Sequence, residues 1–145
     1  MSKTKDLVNE LLVEVFNHIL SIEESKLKEA GVELSMTEIH VLEAINNTNP
    51  PTMSNIATKL RVTVGTLTTS VSTLVKKNYV VRKRGVEDRR VVFIELTNSA
   101  VDVLKIHDEF HDEMIESVFK DLHIEEDEVL IKSLEKVNDY FKNNF

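Results

Sequence analysis

Residues 63–77 read TVGTLTTSVSTLVKK. Val64, Leu67, Val71 and Leu74 fall three or four residues apart, which places them on one face of a helix. Thr63, directly before them, has the short oxygen-bearing side chain of an N-cap. The other face carries Thr66, Thr68, Thr69, Ser70, Ser72 and Thr73, followed by Lys76 and Lys77. Serine and threonine are indifferent helix formers, and a face meant only for water generally uses Glu, Lys and Arg. Short hydroxyl side chains do let a helix backbone approach a groove closely while bonding phosphates or base edges. The pattern predicts a recognition helix rather than an ordinary polar surface.

Upstream, Thr52 can cap a shorter helix containing Ile56, Ala57 and Leu60, and only Arg61-Val62 separates it from Thr63. Two short helices joined so tightly form a helix-turn-helix candidate. Downstream the period changes. Tyr79–Arg84 and Arg90–Leu96 are rich in β-branched and aromatic residues, and Val92, Ile94 and Leu96 alternate with Phe93 and Glu95. Gly85-Val86-Glu87-Asp88-Arg89 joins the two runs, which predicts a β-hairpin. Arg82, Lys83, Arg84, Arg89 and Arg90 crowd its tip and flanks. A basic hairpin directly after a recognition helix reads as a wing.

Further out, the signals are helical. Ser35-Met36-Thr37-Glu38 fits a capping box, with Ile39, Leu42 and Ile45 facing inward behind it. Asn46–Pro51 reads as a loop. From Thr4 to about Glu29 there is no glycine or proline, and Val8, Leu12, Val15, Ile19 and Ile22 form a narrow apolar seam that Gly31 ends. After the hairpin, Thr97 can cap a long helix reaching about Leu122, and Ile124–Phe141 reads as a last helix with Leu130, Leu134, Val137 and Phe141 in register. These apolar-seamed helices lie outside the helix-turn-helix unit, so their expected role is a homodimer interface. The expected fold is mainly α with a small β-hairpin wing. It is one domain over residues 1–145, with the DNA-binding part at 35–97 and helical dimerisation parts at 1–30 and 98–145.

Composition narrows the function. The 145 residues are 41% hydrophobic and 30% charged, which favours a packed core over disorder. There is no cysteine, which removes disulfides, a thiol nucleophile and a zinc-thiolate site. The longest apolar runs are four residues, as in Val91–Ile94, far short of the roughly 20 that span a bilayer. The first residues, MSKTKDLVNELL, lack the apolar stretch of a signal peptide, so a cytoplasmic location is expected. The net charge of −7 alone argues against nucleic acid. It hides two opposite blocks. Residues 52–97 hold nine basic and three acidic residues, a net +6, whereas the rest holds 9 basic and 22 acidic residues, a net −13. A basic middle between acidic arms is the footprint of a local polyanion site. The expected contacts to double-stranded DNA are Thr63, Gly65, Thr66, Thr68, Thr69, Ser70, Thr73 and Lys76 on the helix, with Arg82, Arg84, Asp88, Arg89 and Arg90 on the wing.

This order of elements resembles the MarR family of bacterial regulators over nearly the whole chain. The most specific local match is Asp88-Arg89-Arg90 followed by Ile94-Glu95-Leu96-Thr97, which is similar to the family's wing signature of D-x-R, then an apolar residue, x and L-T. The family usually has glycine shortly after L-T, where this chain has Asn98-Ser99-Ala100. A closer likeness is to the FabT type, the subgroup that represses fatty-acid synthesis genes. It rests on Glu38-Ile39-His40, on residues 62–70, on Asp88–Val92 and on His107-x-x-Phe110-His111. The resemblance implies a homodimeric transcriptional repressor on a pseudo-palindromic operator, with long-chain acyl-acyl carrier protein as co-repressor. It also implies an acyl site beside His40, His107, Phe110 and His111.

His107 and His111 are spaced for two ligands on one helical face. With His40 they also resemble part of the site in zinc-sensing MarR regulators, which makes His40, His107 and His111 an alternative metal set. Against it, Ile39 stands where those sensors have a carboxylate, and there is no cysteine to complete the set. A buried polar cluster, or a role beside an acyl ligand, is the other expectation, with no metal and no resident cofactor. An enzyme is not expected: there is no Gly-rich phosphate loop, no G-x-S-x-G elbow and no H-E-x-x-H. The remaining alternatives are a zinc- or small-ligand-responsive regulator and a helical adaptor that binds no DNA. The adaptor accounts for the seams but not for the basic wing.

Overall fold

A computed structural model describes residues 2–145. The N-terminal helical run comprises α1 (Lys3–Asn9), a π-helical turn (Glu10–Val15) and α2 (Phe16–Glu29). It is followed by α3 (Met36–Asn46), α4 (Met53–Leu60), α5 (Val64–Lys76), the strands β1 (Val80–Arg84) and β2 (Val92–Leu96), α6 (Asn98–Leu122), a 3-10 turn (Ile124–Glu126) and α7 (Glu128–Asn144). The chain divides into two compact units within α6, one ending at His107 and the other spanning Asp108–Phe145. Among the described residues, no helix is long and apolar enough to cross a membrane.

In the first unit the helix ends are set by local chemistry. Gly31, at φ +81°, turns the chain at the end of α2, where its amide donates to Lys28 O and the Val32 amide to Leu27 O. This double bond pattern is a Schellman motif, and the left-handed residue in it costs glycine nothing. The Ser35–Glu38 capping box forms in both directions, with each side chain accepting from the other's amide at 3.1–3.2 Å. Thr52 and Thr63 cap α4 and α5 by accepting from the Asn55 and Thr66 amides. Thr97 accepts from the Ala100 amide in the first turn of α6 and donates to Asn78 O and Tyr79 O. It thereby joins the end of the hairpin to the helix after it.

The core lies beneath the helix-turn-helix. Ile39, Leu42 and Ile45 of α3 pack with Ile56, Ala57, Leu67, Val71, Leu74, Val80 and Ile94. The two strands are antiparallel in the register Val80↔Leu96, Arg82↔Ile94 and Arg84↔Val92. Phe93 also forms a bridge with Thr52, and the Ile94 amide donates to Pro51 O at 2.9 Å, so the loop before α4 lies along the outer edge of β2.

Four boundaries or positions differ from the sequence expectation. The first helix is not uniformly α: the π turn adds a residue to one turn and shifts the apolar seam around the axis. Leu7, Val8, Leu11, Leu12 and Phe16 are all exposed. Strand β2 begins at Val92 rather than Arg90, because Arg90 and Val91 are used in the hairpin turn. The last helix begins at Glu128, where Asp127 caps it by accepting from the Leu130 amide. Val64 does not share the buried face of Leu67, Val71 and Leu74; it is 47% exposed, since the first turn of α5 extends past the core.

Candidate nucleic-acid interface

The helix-turn-helix turn is held by a second Schellman pattern. The Arg61 amide donates to Thr58 O and the Val62 amide to Ala57 O, with Arg61 itself left-handed at φ 58°. A tight turn followed at once by the Thr63 cap starts α5 two residues later. With Leu67, Val71 and Leu74 buried, the opposite face must look outward. Thr66, Thr68, Thr69, Thr73 and Lys76 are exposed on it, together with Gly65. Ser70 and Ser72 are half-buried at its edges. A Cβ added at Gly65 would meet nothing nearer than Thr63 Oγ1 at 3.9 Å. Nothing inside the protein therefore requires glycine there, although glycine inside a helix costs stability.

The threonine hydroxyls are largely committed as donors. Thr68 donates to Val64 O at 2.8 Å, Thr69 to Gly65 O at 3.4 Å and Thr73 to Thr69 O at 3.3 Å. Thr63 donates to Thr66 Oγ1 at 3.0 Å, and Thr63 Oγ1 in turn accepts the Thr66 amide.

The wing is braced from both sides. Arg82 Nη2 donates to Ser72 Oγ at 2.6 Å, linking β1 to α5. Lys83 pairs with Glu95 across the strands at 2.8 Å. Arg84 donates to the Arg89 carbonyl at 3.3 Å, closing the tip. In that tip the Asp88 carboxylate accepts from the Arg90 amide at 3.0 Å and from Nε and Nη2 of the Arg90 guanidinium, each at 3.2 Å. The guanidinium, and then the amide, hold the Asp88 carboxyl below its ordinary range. Gly85 is required here: a Cβ would lie 2.5 Å from the Asp88 carbonyl oxygen.

Between wing and helix-turn-helix runs an open groove of about 820 Å³. Thr68, Arg82, Asp88 and Arg90 line it, as the sequence predicts, and so do Ser54, Asn55 and Val64, which sequence reasoning did not select. The signal available for Ser54 and Asn55 was their place in the first turn behind the Thr52 cap, where short polar side chains flank free amides. Asn55 is fixed by donating to Pro50 O at 3.1 Å. The groove joins hydroxyls, free helix N-terminal amides and guanidinium groups, a donor-rich and cationic surface suited to a phosphate backbone and the edges of bases.

The histidines fall in different settings. His40 is exposed on α3. His107 is 3% exposed and lies between two carboxylates, with Nδ1 2.7 Å from Glu43 Oε1 and Nε2 3.8 Å from Glu23 Oε1. Glu23 is itself only 2% exposed. Neither glutamate was singled out from the sequence, because each sits in a helix far from His107 in the chain. In the second unit the rings of Phe110 and His111 meet edge to face, with centroids 5.8 Å apart.

Comparison with known proteins points one way. Residues 34–92 match the profile of the MarR family. The chain is similar to the HTH-type transcriptional regulator SarZ of Staphylococcus haemolyticus, at 33% identity over 115 residues that cover 78% of this chain and 74% of that one. Among solved structures it is similar to Streptococcus pneumoniae FabT in complex with DNA, with a TM-score of 0.85 and 33% identity over 96% of this chain and 98% of that one. It is also similar to the transcriptional regulator BldR from Sulfolobus solfataricus, with a TM-score of 0.67 and 25% identity over 97% and 99% of the two chains.

Proposed function

The chain belongs to the MarR family, and from that premise we propose that it acts as a homodimeric repressor of fatty-acid synthesis genes with long-chain acyl-acyl carrier protein as its co-repressor. At the coarser level it is a DNA-binding transcriptional regulator. The observation that carries the finer reading is the likeness to FabT over 96% of this chain and 98% of that one. The sequence resemblance at residues 62–70 and Asp88–Val92 points the same way. Resemblance to that type implies the acyl co-repressor; His40, His107, Phe110 and His111 are the residues proposed to lie beside it.

A dimer is supported by apolar side chains that the protomer leaves in water. Leu7, Leu11, Leu12 and Phe16 are exposed on the N-terminal helices, as are Leu134, Val137, Tyr140 and Phe141 on α7. Exposed apolar patches of this kind mark association surfaces. Two-fold pairing would set two recognition helices in successive major grooves, about 34 Å apart, on a pseudo-palindrome. Light scattering should report a dimer at micromolar concentration.

The ligand is tested by operator binding with acyl-acyl carrier protein of increasing chain length. A co-repressor strengthens DNA binding only by preferring the DNA-competent arrangement. Burial contributes about 0.8 kcal/mol per methylene, so affinity should climb with chain length until the cavity is full, and free carrier protein should have no effect. A second reading, a zinc-responsive regulator, is favoured by the burial of His107 between two carboxylates. No response to any acyl chain, with a zinc response abolished by His107→Ala, would establish the second reading in place of the first.

A further inference from the structure

The core of the first unit stops at polar side chains where two helices leave it. We propose that Glu23, Glu43 and His107 are positioning residues that fix the distance between the two recognition helices of the dimer, and hence the half-site spacing the protein accepts on DNA. This rests on the dimeric DNA-binding reading above and adds what sets its geometry.

Two observations carry the inference. First, among the described residues, no side chain before Glu23 and none after His107 is buried. The buried row of α6 runs Ala100, Val103, Leu104 and His107, and that of α2 is Glu23 and Leu27. Each row thus stops at a polar side chain. Beyond that point the chain carries the exposed apolar residues offered to a second copy: Leu11, Leu12 and Phe16 before Glu23, and Leu134 and Phe141 after His107. Second, the two ends meet each other and α3. His107 Nε2 lies 3.8 Å from Glu23 Oε1, and Nδ1 lies 2.7 Å from Glu43 Oε1. Glu43 directly follows Leu42, which shares a core with Leu67, Val71 and Leu74 of the recognition helix.

Apolar packing is non-directional, so one helix can slide on another at little cost. A polar contact of this length is less tolerant, and a displacement of about 1 Å carries it out of hydrogen-bond range. Buried polar groups add little net stability, and their best-attested use is to fix register. The register fixed here is that of α2 and α6 on α3, and through α3 that of α5. One base pair of spacer moves a half-site by about 3.4 Å and turns it by about 35°. A loosened register therefore shows as tolerance of spacer length.

The test begins with an operator selected by the full-length protein from a random duplex pool, with a chelator present so that no metal holds the cluster. Its half-sites are then moved one base pair closer or farther apart. The parent should lose at least about tenfold in affinity for either change, as for a mismatched half-site contact. Glu43→Ala and Glu43→Leu remove the carboxylate, without and with most of its volume, and each should cut that penalty severalfold. Glu43→Gln keeps a hydrogen-bonding end and should retain most of it. A variant that is merely less stable binds every duplex less in proportion to its folded fraction, so the ratio between spacings stays put. An unchanged ratio in the alanine and leucine variants would overturn the inference and leave the dimer standing. Spacing discrimination that arises only when zinc is added would overturn it in favour of the zinc reading. Equal binding to single and paired half-sites would remove the dimeric reading, and the inference with it.

Discussion

The Arg82 guanidinium donates to the Ser72 hydroxyl across 2.6 Å, so the first strand of the wing is fastened to the edge of the recognition helix. The two parts that would meet DNA are therefore set relative to each other before DNA arrives, and ordering them on binding costs less. Ser72→Ala should leave the fold nearly as stable, within about 1 kcal/mol for one exposed hydrogen bond. It should nevertheless lower affinity for specific and nonspecific duplex alike. Urea unfolding beside fluorescence anisotropy measures both, and unchanged affinity would show that the wing is placed by other contacts.

At the tip, Asp88 plays the same part for Arg90. An ordered guanidinium loses less entropy on meeting a phosphate or a narrow groove. Arg90→Ala should weaken binding to all sequences and flatten the dependence of log K on log salt by about 0.9 for each phosphate the protein no longer neutralises. Asp88→Asn should weaken binding less, because the cation is kept and only its positioning is impaired. Salt titrations of both variants on an operator and on an unrelated duplex separate the two effects.

Gly65 offers a test in which stability and function should move in opposite directions. It is the second residue of α5, where glycine is still a poorer helix former than alanine, by up to about 1 kcal/mol, and an added Cβ has room. Gly65→Ala should raise the unfolding temperature slightly, by up to about 2 °C. If the first turn of α5 lies close against DNA, the same change should reduce operator affinity. A more stable variant with undiminished affinity would place Gly65 outside the interface.

How far the sequence could be read followed the range of the signal. As caps, Ser35, Thr52, Thr63, Gly31 and Thr97 bond within five residues of themselves, and each ends or begins an element as its chemistry dictates. The outward placement of Thr66, Thr68, Thr69 and Thr73 followed from the buried Leu67–Val71–Leu74 row. What could not be read depends on tertiary geometry. The π turn at Glu10–Val15 has no local sequence mark, Val64 has the spacing of a core residue but lies past the core's edge, and His107 takes partners from α2 and α3. Ser54 and Asn55 enter the groove only because the loop before α4 pairs with β2.

The Glu38 carboxylate ties the start of α3 to the end of the recognition helix, accepting from Lys77 Nζ at 3.0 and 3.1 Å as well as from the Ser35 amide. Partial burial pushes its pKa up, but the Ser35 amide and the Lys77 ammonium together outweigh this and leave it lowered. A lowered folded-state pKa means stability that is present above the unfolded value of about 4.3 and lost as pH falls through the folded value. Glu38→Gln should therefore be less stable than the parent at neutral pH, by about 0.5–2 kcal/mol for an impaired cap. That gap should narrow in acid below about pH 4. A gap independent of pH would mean that the charge contributes nothing.

Buried Glu23 and His107, with half-buried Glu43, form a cluster that ties α2 and α3 to the middle of α6. Removing a side chain that is 3% exposed leaves a cavity and takes away the contacts it makes to Glu43 at 2.7 Å and to Glu23 at 3.8 Å, and breaking a buried polar cluster in this way costs more than the cluster is worth. Glu23 is 2% exposed and its carboxylate oxygen lies 3.8 Å from His107 Nε2. His107→Ala should therefore destabilise the chain by about 3–5 kcal/mol. Adding Glu23→Gln to that variant should recover a substantial part of the loss, since a neutral amide carries a smaller desolvation penalty. Denaturant unfolding of the parent, the single and the double variant at constant m-value closes the cycle. Strictly additive losses would mean that the imidazole and the Glu23 carboxylate do not act on each other.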